Sequence, residues 1–156
     1  MTPKRFSTLT LACISALASF GVQAYTVPAD FDSDQSSQGA GYFSGTINGN
    51  GYNWTVDKST NQEAAKLQVS TGGQVSNVGN LTVVDGEVNV FGGSIQVNNK
   101  LEAETLKLGA TKQSNVLNTG TVTADSATVS SVIVNSGSSL TVTHNLDPKI
   151  SDRLAV

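Results

Sequence analysis

The chain has 156 residues, of which 38% are hydrophobic, 6% aromatic and 13% charged, with a formal net charge of −3 and one cysteine, Cys13. A single cysteine excludes a disulfide framework and a Cys-ligated zinc site. Mild acidity with no Lys/Arg stripe excludes a nucleic-acid grip on phosphates, so no nucleic-acid partner is expected.

The front of the chain reads as an export signal over residues 1–24. Lys4 and Arg5 form a positive start, residues 6–20 an apolar run, and Val22-Gln23-Ala24 a small-x-small cleavage site before Tyr25. The run is shorter than the ~20 residues that span a bilayer, so no membrane span is expected in the mature chain. Cys13 follows Thr10-Leu11-Ala12, with Thr where a lipoprotein signal usually has Leu. Removing the leader takes away Lys4, Arg5 and Cys13, which moves the net charge from −3 to −5 and excludes a thiolate nucleophile. Asn53-Trp-Thr and Asn80-Leu-Thr would be glycosylation acceptors only in a eukaryotic host.

Residues 25–40 are polar, with Pro28 and a Gln/Ser run, and read as a flexible lead-in. Asp30, Asp32 and Asp34 alternate as in a calcium loop, but Gln35 stands where the sharp turn needs Gly and Gly41 where a bidentate Glu is needed, so no metal site is expected. Residues 41–65 are predicted to form a hairpin and capping segment. Asn48-Gly-Asn-Gly51 separates two aromatic and β-branched runs, which is the strongest short-range hairpin signal, and Ser59-Thr-Asn-Gln62 is suited to cap one helical turn. Tyr42, Phe43, Tyr52 and Trp54 gather here. Tyr42, Tyr52 and Trp54 are the candidate contacts for a glycan or protein partner. The plainer and favoured reading is a lid whose rings cover the end of the next element.

Residues 66–143 carry the organising pattern. Gly79-Asn-Leu-Thr-Val-Val-Asp, Gly86-Glu-Val-Asn-Val-Phe-Gly and Gly93-Ser-Ile-Gln-Val-Asn-Asn each read Gly, polar, apolar, polar, apolar. That alternation is a strand with Leu81/Val83, Val88/Val90 and Ile95/Val97 inward, ended by a Gly, Asn or Asp turn. A longer recurrence overlies it. Leu81, Leu101, Val122 and Leu140 repeat at spacings of 20, 21 and 18, and Gly72-Gly73 returns as Gly92-Gly93. Three short strands per ~20 residues cannot bury their apolar face alone, whereas stacked coils pair every backbone group at ~4.8 Å. The predicted fold is therefore all-β: a short right-handed parallel β-solenoid of about four three-stranded coils with an N-terminal β-hairpin cap. Leu81, Leu101, Val122 and Leu140 are expected in one interior column. An antiparallel sandwich would satisfy the alternation but needs no regular recurrence.

Residues 144–156 break the pattern at Pro148 and read as a C-terminal tail, with a modest cap or the abrupt end of a longer array as the alternatives; a last coil left uncovered would offer free strand edges that recruit other chains. No catalytic constellation can be assembled, so no enzyme is expected. His144 is the only histidine, and Asp85 with Glu87 and Glu102 with Glu104 are alternate strand residues that read as solvated faces. No cofactor or metal is implied. Thr121/Thr123 and Thr141/Thr143 resemble an ice-binding array that Thr82 and Glu102 interrupt, and no curli-type Gln-x-Gly-x-x-Asn repeat occurs.

Residues 79–99 and 120–142 resemble the degenerate Gly/Asn/Thr/Val coils in passengers of bacterial autotransporter and filamentous-haemagglutinin-type adhesins. The resemblance implies an exported structural or adhesive module, extracellular, cell-surface or periplasmic, partnered by itself end to end or by a surface glycan or protein receptor. The segment after Val142 is too short for a translocator barrel, so a free module, polymer subunit or shortened remnant is implied. The reading from a different class is a carbohydrate-binding or carbohydrate-active module using Tyr42, Tyr52 and Trp54.

Overall fold

Alternating apolar residues punctuated by Gly and Asn favour extended backbone, and the computed structural model contains no other regular element in the residues it describes: 30–59, 64–109, 118–148 and 154–155. The strands are β1 (Gln35–Gln38), β2 (Ala40–Phe43), β3 (Thr46–Asn48), β4 (Trp54–Asp57), β5 (Lys66–Val69) and β6 (Gln74–Val78). They continue as β7 (Leu81–Val90), β8 (Ser94–Val97), β9 (Lys100–Leu108), β10 (Thr121–Val134), β11 (Ser139–Pro148) and β12 (Leu154–Ala155).

Every strand pairing is parallel, and the pairings form three ladders. Ladder A runs β3-β6-β8, then the first part of β10 and of β11. Ladder B runs β1-β4, then the first parts of β7 and β9, the middle of β10 and the end of β11. Ladder C runs β2-β5, the second parts of β7 and β9, the end of β10, and β12. β7, β9 and β10 are long because each bends from one ladder into another, with register shifts at residues 83/87 in β7 and 124/126 in β10. Ladders A and B join through β10 into a curled, half-barrel sheet in the order β1-β4-β7-β9-β10-β8-β6-β3.

Like residues lie over like. Ladder A stacks Ile47, Val75, Ile95, Val122 and Leu140, and ladder B stacks Trp54, Leu81, Leu101, Ala127 and Leu146. Ladder C stacks Leu67, Val88, Leu106 and Val132. Most of these side chains are fully buried, each worth about 1.5–3 kcal/mol of transfer free energy. The heptad glycines are required by close approach: a Cβ on Gly86 would sit 2.1 Å from the Ala65 carbonyl oxygen, and one on Gly93 2.3 Å from that of Gly73.

Four expectations change. The hairpin at 41–65 does not form: β2, β3 and β4 each pair in parallel with a different strand. The turn itself does form, with Tyr52 N–H donating to the Gly49 carbonyl at 2.8 Å. It acts as a corner between ladders, because an Asn-Gly turn reverses the chain locally without dictating which backbone the flanking strands meet. The flexible lead-in is ordered from Asp30 onward, where β1 and β2 add rungs to ladders B and C. Its Gln/Ser residues satisfy their backbone groups on β4 despite burying little apolar surface. The expected single column splits: Leu81 and Leu101 belong to ladder B, Val122 and Leu140 to ladder A. The link from Leu108 to Thr121 is long, so a count of residues places Val122 one strand too far round. Finally, β11 continues through Pro148, past the expected start of the tail at 144. The expected export signal and residues 60–63 of the expected helical cap lie outside the described residues.

Leu101→Ala, inside ladder B with 0% exposure, is expected to cost about 2–5 kcal/mol in urea unfolding. Leu146→Ala, in the same column but 43% exposed, should cost about 1 kcal/mol or less. Equal losses would contradict the stacking.

Candidate functional site

The three aromatic candidates separate. Trp54 shares the inward parity of Val56 on β4 and is fully buried; its Nε1–H donates to Ser37 Oγ at 3.1 Å and its ring meets Phe31 edge-on at 5.4 Å. It closes the end of the core, as the lid reading expects, and offers no face to a glycan. Tyr42 on β2 and Tyr52 in the turn before β4 are 45% and 39% exposed, but they sit on different ladders and form no common platform. The parity of Trp54 with Val56 was the signal that placed it inside.

Polar side chains form corner ladders that composition alone does not reveal. Asn53 N–H and Nδ2 donate to the two carboxylate oxygens of Asp34, Asn80 N–H and Nδ2 both donate to Asn53 Oδ1, and Lys100 N–H donates to Asn80 Oδ1. A second ladder runs from Asp30 through Asn48 and Asn77 to Asn98. Asp30 and Asp34 therefore terminate hydrogen-bond ladders, and no cluster of metal ligands exists among the described residues. The Asn53 backbone and amide N–H groups hold the Asp34 carboxyl below its usual range.

On ladder C, Glu87 lies between Lys66 at 3.6 Å and Lys107 at 3.2 Å and accepts from Asn89 Nδ2. Burial raises its carboxyl, but Asn89 and the two lysines outweigh that and leave it below its usual range. Asn89 is itself 2% exposed, with Oδ1 unpaired. His144 Nδ1 pairs with Asp125 Oδ1, to which Thr143 Oγ1 also donates at 3.1 Å. The hydroxyl thus serves the carboxylate and not the imidazole, so this trio lacks the nucleophile-to-base bond of a catalytic triad. Its effect is to pin the corner of β11 onto β10. The His144 contact holds the Asp125 carboxyl below its usual range.

The two ends of the stack differ. At the N-terminal end Phe31 and the small polar residues of β1 close the interior over Trp54. At the C-terminal end no described strand pairs the outer edge of β11. Leu140, Val142, Val132 and Val134 are only partly buried there, and Leu146 is exposed, although their ladder partners Val122, Ala124, Leu106, Leu108 and Ala127 are buried. An unpaired edge backed by half-covered aliphatic residues is the arrangement that takes on another strand. No protein-family model, curated protein or solved structure matches the chain.

Asp34, Glu87 and Asp125 all have carboxyls lowered by folding. Each stabilises the fold above its unfolded value of about 4, and that contribution is lost as pH falls through the lower folded value. The thermal midpoint should therefore drop below about pH 4, and Asp125→Asn should flatten that acid limb while lowering the midpoint at pH 7. An unchanged limb in the variant would contradict the assignment.

Proposed function

We propose that the chain is an exported structural and adhesive module of the bacterial cell surface or extracellular matrix, built as a right-handed parallel β-solenoid and associating with copies of itself. The three-ladder register supports the solenoid: the rungs of ladder B recur at Trp54, Leu81, Leu101, Ala127 and Leu146, one strand per turn. The sense of winding follows from the near-universal right-handed crossover between parallel strands. The positive start, apolar run and cleavage site over residues 1–24 support export. The shallow polar surface, without metal cluster or triad among the described residues, suits a scaffold.

The observation that carries the self-association is the half-open C-terminal coil. Its partner edge is a β-edge with apolar residues facing inward at alternate positions. The N-terminal end of a second copy is a poor match, because Gln35 and Ser37 occupy the inward register over Trp54 and Val56. A second C-terminal coil is a good one, since apolar residues then meet apolar residues about a two-fold axis. Such an isologous contact closes as a dimer and does not grow into a fibre.

Light scattering of the full chain against concentration is expected to give a monomer–dimer equilibrium. Leu146→Lys, at an exposed position, should shift it to monomer with an unchanged β circular-dichroism spectrum. A wild-type chain that stays monomeric at millimolar concentration, or a variant that dimerises as well as wild type, would remove this reading.

A further inference from the structure

The strand segments of ladder A differ from those of ladders B and C in carrying no charge. Ladder B carries Asp57, Lys100, Glu102 and Asp147, and ladder C carries Lys66, Glu87 and Lys107. The strands of ladder A present only hydroxyl and amide side chains outward, with the carboxylate of Asp30 at the N-terminal end, where its backbone bridges Asn48. At its centre Thr121 lies between Ser94 and Ser139, and Thr123 between Gln96 and Thr141. Among these six, Gln96, Thr121, Ser139 and Thr141 are exposed and the other two half-buried. Their hydrogen-bonding capacity is largely unspent: the only side-chain bond among them is Ser139 Oγ to Thr121 Oγ1 at 3.5 Å.

We propose that ladder A is a binding face for a neutral polysaccharide lying along the stack. Hydroxyl and amide groups each donate and accept, as sugar hydroxyls do, and the rungs repeat them at ~4.8 Å along the ladder. A polyanion would find no cation on these strands, and a protein partner would find no aromatic or arginine anchor. Each hydrogen bond exchanges with water and is weak alone, but a polymer engaging successive rungs gains by multivalency. The inference names a partner for the adhesive half of the function above and does not require the dimer.

Co-sedimentation of the full chain with microcrystalline cellulose and with chitin tests it. Retention on at least one is expected, unchanged between about 0.05 and about 1 M NaCl because no Coulomb attraction is involved. The double variant Gln96→Lys/Thr123→Lys should reduce retention about tenfold through lost multivalent contact. Glu102→Gln on ladder B should leave it unchanged. Dimerisation of the double variant, followed by light scattering, reports the fold and the C-terminal interface separately. Dimerisation without retention on either polymer overturns the glycan face and leaves the structural module standing. Retention that vanishes at high salt, or that the double variant keeps, also overturns it, as does ice shaping without polysaccharide retention.

Discussion

Parallel stacking is the constraint on which the rest of the molecule depends. Each strand must lie ~4.8 Å from its neighbour with its inward side chain directly over the last, so every rung inherits the width of the one before. The interior is accordingly aliphatic and narrow, with Trp54 admitted only where the stack is closed by Phe31. Where the chain turns, the carbonyl of the neighbouring rung passes so close that Gly86 and Gly93 have no room for a Cβ. The long extra stretches fall at corners, in the links from Asp57 to Lys66 and from Leu108 to Thr121, whereas a single extra residue is taken up as a bulge in β6 between Val75 and Val78. The long stretches leave the ladders in register because they lie outside the paired segments.

That explains which parts of the architecture could be read directly from residues. The alternation at Leu81/Val83, Val88/Val90 and Ile95/Val97 reports which side chains face inward, and all six are buried. Parity is a local property, so it is legible. Register is not local. Val122 lies 21 residues beyond Leu101, close to one coil, yet the long link after Leu108 uses up part of that length and leaves it on ladder A, one face short of ladder B. The Gln/Ser segment of β1 was illegible for another reason: it is held by backbone pairing to β4 and by Asp34 bonding Asn53, with little apolar surface to announce it. Asn53 and Asn80 each precede a ladder B strand and Lys100 opens one, so the corner ladder had a sequence trace, but only the correct register turns those residues into neighbours.

The ends show how the stack is limited. A coil at the end exposes one face of its interior and one row of backbone donors and acceptors. The N-terminal end resolves the first with side chains: Ser37 accepts from Trp54, and Phe31 covers it. β11 has no such device among the described residues, and the exposure of Leu146 follows. The His144–Asp125–Thr143 cluster nearby fastens β11 to β10 and leaves the outer edge of β11 untouched. A terminal coil that is fastened on one side and open on the other would have little ordering left to lose in the proposed association.

Stacking also bears on the surface, because any outward residue sits one rung from its counterpart. Two like charges at ~4.8 Å repel by about 1 kcal/mol in bulk water and by about 3–4 kcal/mol at an effective dielectric of 20. A charged column therefore has to alternate in sign or be avoided. Ladder C takes the first course, with Glu87 set between Lys66 and Lys107. Ladder A takes the second along all of its strand segments. Repulsion alone does not account for that choice, since alternation is available one face away in the same chain. What neutrality adds is a continuous surface of groups that both donate and accept, with no ionic group to bind water or counter-ions in preference to a hydroxylated polymer. The segregation of charge onto two faces is thus not required by the stability of the stack, and it is the feature on which the proposed glycan face rests.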